Sequence, residues 1–163
     1  MGLDFELGEE EQLVAQSMRD CLAPFKDRTE ELRQTILVEK KFPQDLWDAI
    51  SDTGLMGCVI PEEYGGNGMG LLSMTVGVEA LATAGFGNAL LILTAMDAAC
   101  ILRNGSETMK QRYLPKIASG EMKFCFALTE PNAGSNAFRL ETLATRSPEG
   151  WVLNGEKVFI TGA

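Results

Sequence analysis

Apolar residues recur at three- and four-residue intervals through Leu13, Val14, Met18, Cys21, Leu22 and Phe25, which predicts an amphipathic helix between residues 8 and 24. Glu9, Glu10 and Glu11 fall in its first turn, where they favour the positive end of the helix dipole. Gly8 stands where a capping Ser or Thr is common, a small loss. A second helix is expected to begin near Pro43, whose fixed φ suits a first helical position, and to carry Leu46, Trp47 and Ile50 inward. Gly54 should stop it as a left-handed terminator. Residues 55–66 then combine a short apolar extension with a glycine-rich loop. The double glycine Gly65-Gly66 could cradle a phosphate, but no Lys-Ser/Thr follows and no GxGxxG is present, so a tight turn is the better reading. Three more helices are expected over roughly 71–84, 88–103 and 107–117, with Ser106 capping the last beside Glu107.

The pattern changes at Lys123. Phe124 to Thr129 is a short apolar, aromatic-bearing run suited to a buried strand. After a turn-rich loop, residues 140–146 alternate apolar and polar. Pro148-Glu149-Gly150 marks a turn, and Trp151-Val152-Leu153 resumes as a strand. Asn154-Gly155 is a hairpin signal leading into Val158-Phe159-Ile160-Thr161. The expected class is α+β, with a helical domain over 1–120 and the beginning of a β-domain over 121–163. That β part has too few strands to close a sheet on itself.

Hydrophobic residues make up 45% of the 163, enough to build a core. The 14 basic and 23 acidic residues give a net charge of −9, which argues against nucleic acid or an anionic membrane as partner. The basic residues are scattered, and Lys40-Lys41 makes no patch. The opening, from Met1 to Glu6, is acidic where a secretion signal would be basic and then apolar. It also opposes a mitochondrial transit peptide, which a processed chain would have lost. The longest apolar stretch, 89–95, is far short of a membrane span. Cys21, Cys58, Cys100 and Cys125 form no CxxC pair and read as small core residues in a reducing compartment. The absence of histidine removes His-based metal sites and Ser-His or Cys-His nucleophilic pairs, so no metal is expected and any chemistry is borrowed from a cofactor.

The stretch Leu128-Thr129-Glu130-Pro131-Asn132-Ala133-Gly134-Ser135-Asn136 is a strand end, a turn and a loop with a small-residue apex. Gly134 and Ser135 could present N–H groups and a hydroxyl to an anion, or could simply turn the chain. This stretch resembles the TEPxAGSD motif of the acyl-CoA dehydrogenase family. Residues 154–161, Asn-Gly-Glu-Lys-Val-Phe-Ile-Thr, resemble the family's NGxKxWIT segment. Upstream, residues 60–66 resemble its PEEYGG loop, and residues 112–115 with 118–121 resemble its "RYLP…ASGE" lead into the β-domain. The four motifs are in order and span nearly the whole chain, which covers less than half of a usual family member.

The resemblance implies a helical amino-terminal domain followed by the first strands of an incomplete antiparallel β-barrel domain. It implies FAD as cofactor and oxidation of an acyl-CoA to its trans-2-enoyl product, with electrons leaving to an electron-transferring flavoprotein. Phe126, Leu128, Thr129, Gly134 and Ser135 would lie along the flavin, the Thr129 hydroxyl bonding its polar edge. Ser135 would face the pyrophosphate and approach the thioester substrate. In the run Phe159, Ile160 and Thr161, Phe159 takes the place of a stacking Trp and Thr161 comes near flavin N5, the hydride acceptor. Fixed donors there would stabilise the reduced ring. Pattern alone makes Phe126 and Phe159 core residues and Glu130 a solvated side chain. The helix bearing Leu90, Ile92, Leu93 and Met96 resembles the floor of the family's acyl pocket, making Ile92 and Met96 candidate substrate contacts that would permit a medium or branched acyl tail, while a simple core face fits these residues equally well.

No catalytic residue is assigned within 1–163, because the family's base is a glutamate in a carboxy-terminal helical domain. These residues alone are therefore expected to lack activity and to hold FAD weakly. The resemblance further implies a homodimer or homotetramer in the bacterial cytoplasm, or in the mitochondrial matrix for a processed eukaryotic chain. Enoyl-CoA reductases, acyl-CoA oxidases and a non-catalytic interaction module remain as alternatives. Two positions depart from the motifs: Asn136 replaces Asp yet can make the same local turn bond, and Phe159 loses the N–H of Trp while keeping an aromatic face.

Overall fold

The computed structural model describes residues 6–163, so the opening stretch Met1 to Phe5 lies outside the described residues. The chain divides into two compact units, Met1–Lys123 and Phe124–Ala163. The first is built on α1 (Glu9–Leu22), α2 (Thr29–Arg33), α3 (Gln44–Asp52), α4 (Gly70–Thr83), α5 (Ala89–Asn104) and α6 (Glu107–Ala118). The second contains one antiparallel hairpin, β1 (Leu143–Ser147) and β2 (Gly150–Asn154).

In the helical unit α1 packs along α4, and α5 packs against α6. Met18, Leu22, Phe25, Trp47, Ile50, Leu81 and Leu91 meet in one core, each worth about 1.5–3 kcal/mol of burial by type. The α1 stripe faces that core as its spacing predicts, with Val14 and Cys21 half-buried at its margin, but Leu13 is 69% exposed. Position 13 sits at the edge of a stripe centred on Val14, Met18 and Leu22. Trp47 donates its indole N–H to the Gly120 carbonyl at 2.9 Å, tying α3 to the chain just after α6. Lys123, which closes this unit, lies over the Phe42 and Trp47 rings and donates to Gln44 at 3.1 Å.

Several boundaries come out as the sequence predicts. Gly54 ends the α3 segment at φ 79°, and Ser106 Oγ accepts the Met109 N–H at 3.3 Å. Asn88 caps α5 by accepting the Leu90 N–H at 2.9 Å. Pro43 occupies the N-cap, one residue before the expected first helical position. The stretch between α1 and α3 gave no sequence expectation, yet it is largely helical: a 3₁₀ run over Ala23–Arg28, then α2, then a π turn over Gln34–Val38. Only Phe25 and Leu32 are buried there, so its apolar spacing carries no regular period.

The cysteines correct the composition argument in part. Cys58 is buried and Cys21 half-buried, but Cys100 and Cys125 are exposed. A thiol is small enough to tolerate either setting, and spacing gives no sign of which.

In the β-unit the ladder runs Leu143↔Asn154, Ala144↔Leu153, Thr145↔Val152, Arg146↔Trp151 and Ser147↔Gly150. Its turn is Pro148-Glu149, as expected. The Asn154-Gly155 hairpin is not: Asn154 is the last ladder residue, and Gly155 (φ 158°) lets the backbone pass against the Thr142 side chain, which a Cβ would strike. Neither 124–129 nor 158–161 forms a strand. A strand exists only with a hydrogen-bonded neighbour, and the link between these stretches is a single bond from Val158 N–H to the Thr129 carbonyl at 3.0 Å. Phe159, at φ 58°, is left-handed and breaks any extended run through 158–161.

Candidate functional site

Within the β-unit, the loop from Leu128 to Asn136 is shaped by a tight turn. Glu130 N–H donates to the Ala133 carbonyl at 2.9 Å, and Ala133 N–H returns to the Glu130 carbonyl at 3.1 Å. Pro131 and Asn132 make the bend, residue types that favour one. Beyond it, Asn136 Oδ1 accepts the Phe138 N–H at 3.2 Å. Asn136 therefore keeps the local turn bond expected of it in place of Asp, and it caps a short 3₁₀ turn over Ala137–Arg139.

Glu130 is not the solvated side chain that pattern alone suggests. It is 5% exposed, and Lys157 Nζ donates to its carboxylate at 2.8 Å. The Glu141 N–H donates at 2.6 Å and the Thr142 N–H at 3.0 Å. Lys157 Nζ also donates to the Leu128 carbonyl at 3.0 Å. The Lys157 bond foremost, with the backbone donors, holds the Glu130 carboxyl at a pKa of about 2, below its ordinary 4.5. The depressed value means that ionised Glu130 stabilises the folded unit above the ordinary carboxylate pKa. That contribution fades as pH falls toward about 2. The Thr142 amide resonance should therefore hold its position from neutral pH through the normal carboxylate range and move only near pH 2. Movement centred near pH 4.5 would show Glu130 to be an ordinary exposed carboxylate.

The residues singled out from sequence divide by exposure. Phe126, Leu128, Thr129 and Ile160 are half-buried, whereas Gly134, Ser135 and Thr161 are exposed. Phe159 is 94% exposed, in a left-handed backbone that costs a non-glycine residue roughly 1–2 kcal/mol. The bonds through Val158 and Lys157 bring the Leu128–Thr129 end of the loop beside the Phe159 segment. The hydroxyls of Thr129, Ser135 and Thr161 have no hydrogen-bond partner among the described residues. A side chain added at Gly134 would meet nothing within 4 Å.

In the helical unit, Ile92 and Met96 lie one turn apart on α5, 49% and 44% exposed. Leu90 instead belongs to the core, and Leu93 is half-buried. On the same helix, Thr94 Oγ1 and Asp97 Oδ2 are buried without partners, and burial pushes the Asp97 carboxyl up. Neither these two nor the Glu130–Lys157 pair stood out in the sequence. Glu130 and Lys157 are 27 residues apart, and no local period connects them.

Two family models match the chain. The acyl-CoA dehydrogenase N-terminal domain covers residues 8–121, and the acyl-CoA dehydrogenase middle domain covers residues 125–163. The acyl-CoA dehydrogenase FadE12 of Mycobacterium tuberculosis is 39% identical over 119 residues, which is 72% of this chain and 31% of that protein. Bovine (Bos taurus) mitochondrial isovaleryl-CoA dehydrogenase is 35% identical over 163 residues, 98% of this chain and 37% of that one. A glutaryl-CoA dehydrogenase from Mycobacterium smegmatis, solved in complex with FADH2, superposes with a TM-score of 0.82 at 27% identity, over 94% of this chain and 39% of that one. The chain thus spans about a third of the curated relatives it matches. With one family model on the helices and another on the residues around the Glu130 loop, this chain belongs to the acyl-CoA dehydrogenase family.

Proposed function

We propose that the complete protein is an FAD-dependent acyl-CoA dehydrogenase, oxidising an acyl-CoA thioester to its trans-2-enoyl-CoA, and that residues 126–161 supply part of its flavin-contacting surface. One observation carries this reading. The Thr129 loop is bonded to the segment leading into Phe159 while the Thr129, Ser135 and Thr161 hydroxyls and the Phe159 ring stay uncommitted. An exposed aromatic face beside hydroxyl and backbone donors suits a planar ring with a polar edge.

Bound FAD would supply a hydride acceptor that no side chain here can provide. In this reading Thr129 bonds the polar edge of the ring, Phe159 with Ile160 covers its face, and Thr161 lies near N5. Ser135 faces the pyrophosphate and thioester across the space left open at Gly134. Ile92 and Met96 would give the acyl tail an apolar surface, which suits a medium or branched chain. Glu130 is unsuited to removing the substrate's α-proton, since its carboxylate is buried and already accepts three donors. That base is assigned to a region beyond these residues, so residues 1–163 alone should not turn over substrate. Electrons would leave to an electron-transferring flavoprotein.

The test is anaerobic addition of straight- and branched-chain acyl-CoA esters to the full-length flavoprotein. Loss of flavin absorbance with formation of the enoyl ester is expected. Flavin that stays oxidised with every ester tried would sink the dehydrogenase reading.

A further inference from the structure

Among the residues of the β-unit, Ala133 and Glu130 are the buried ones, at 2% and 5% exposure, so one of its enclosed side chains is a carboxylate. A buried ion pair is weak evidence of stabilisation, because desolvating both charges offsets much of their attraction. What such a pair provides is direction: its bonds have fixed geometry, whereas apolar contacts tolerate sliding.

Here the directions converge on the proposed flavin surface. Lys157 Nζ binds both the Glu130 carboxylate, at 2.8 Å, and the Leu128 carbonyl, at 3.0 Å, and so spans the residues on either side of Thr129. Lys157 is also two residues before Phe159, and its neighbour Val158 donates to the Thr129 carbonyl at 3.0 Å. From the other side, the Glu141 and Thr142 N–H groups hold the same carboxylate at 2.6 and 3.0 Å, fixing the chain that enters β1. Three separate stretches of chain are thereby referred to one carboxylate.

We infer that Glu130 and Lys157 are positioning residues for the cofactor site: they set where the Thr129 hydroxyl and the Phe159 ring stand relative to each other, and through that the affinity and redox potential of the flavin. The inference rests on the flavin reading above. Neither residue touches the cofactor in this account; both act through the backbone of their neighbours. Displacing a donor or a stacking face by a fraction of an ångström is enough to weaken recognition of a rigid ring.

The test uses the full-length protein and three variants: Glu130→Gln, which keeps volume and one acceptor oxygen; Lys157→Met, which keeps the stem and removes the ammonium; and Lys157→Arg, which keeps the charge. FAD affinity is read by quenching of free flavin fluorescence, and the midpoint potential by spectroelectrochemistry. Amide spectra of flavin-free protein report the loop. Glu130→Gln and Lys157→Met should each weaken FAD binding about tenfold or more and shift the potential. A fourth variant combining Glu130→Gln with Lys157→Met should be no worse than either single one, since the two act as a unit. Lys157→Arg should recover most of the lost affinity. Wild-type affinity and potential in Glu130→Gln and Lys157→Met would overturn the inference and leave the flavin reading standing. A wild-type protein that binds no FAD would overturn both. Should Lys157→Met fail to fold, Glu130→Gln decides alone, its unchanged affinity and potential counting against the pair.

Discussion

Replacing Trp47 with alanine should cost the helical unit about 4 kcal/mol, an estimate that joins a truncated core aromatic to a lost buried hydrogen bond. Trp47 is 1% exposed and is the largest side chain in the core of α1, α3, α4 and α5. Its removal leaves a void that the surrounding core can only partly close. Its indole N–H also serves the Gly120 carbonyl at 2.9 Å, and Gly120 is itself buried. Alanine therefore removes packing and leaves an acceptor without its donor. Trp47→Phe separates the two, since it keeps most of the apolar volume and should cost only about 1–2 kcal/mol. Denaturant unfolding followed by far-UV circular dichroism would measure both variants. Tryptophan fluorescence is unsuitable, because the remaining Trp151 is 67% exposed on the hairpin of the other unit. A Trp47→Ala variant as stable as Trp47→Phe would show that the core closes over the void.

The elements legible in the sequence were those whose own residues fix them. Helix α1 carries a 3.6-residue apolar stripe, and α6 announces its start with Ser106, whose side chain makes the capping bond. The Pro148-Glu149 turn is likewise local. Residues 23–38 failed on the same criterion. Their turns mix 3₁₀, α and π spacing, so no single period runs through them, and Phe25 and Leu32 alone reach the core. The runs 124–129 and 158–161 failed differently. Their composition favours strands, but a strand is a property of a pair, and here the two meet through one backbone bond.

The candidate site divides the same way. Its loop could be read from Pro131, Gly134 and Asn136, because turn residues carry their conformation with them. The resemblance to motif segments drew attention to Thr129, Ser135, Phe159 and Thr161. The ionic joint between those segments was invisible, since a glutamate and a lysine 27 residues apart look like two surface charges until the backbone brings them to 2.8 Å. Burial, the quantity that turns Glu130 from a solvated side chain into an organiser, has no signature in composition.

Substituting alanine for Gly66 is the other change with a large expected effect, although it adds only one carbon. The two glycines of the Gly65-Gly66 pair are required for different reasons. Gly65 is left-handed, at φ 81°, and a Cβ there would meet Pro115 at an ordinary 3.7 Å, so its penalty is conformational, about 1–2 kcal/mol. Gly66 needs no left-handed backbone, but a Cβ built on it would overlap the Ile60 carbonyl oxygen, with the Ile60 carbonyl carbon at 2.5 Å and Ile60 Cβ at 2.6 Å. Ile60 is fully buried, so it cannot retreat. The loop would have to open instead, straining the bonds from Gly66 N–H to the Pro61 carbonyl at 3.2 Å, Asn67 N–H to Gly57 at 3.1 Å and Gly68 N–H to Ile60 at 3.0 Å. A collision with backbone rather than with a movable side chain belongs at the upper end of overpacking costs, about 3 kcal/mol. Gly68→Ala is the comparison within the same loop: unlike Gly66, Gly68 is left-handed, at φ 65°, and has nothing within 4 Å of the added carbon, so its cost is conformational alone. It should lose only about 1–2 kcal/mol. Gly66→Ala losing no more than Gly68→Ala in thermal unfolding would show that the loop yields freely and that the close approach to Ile60 is not what fixes it.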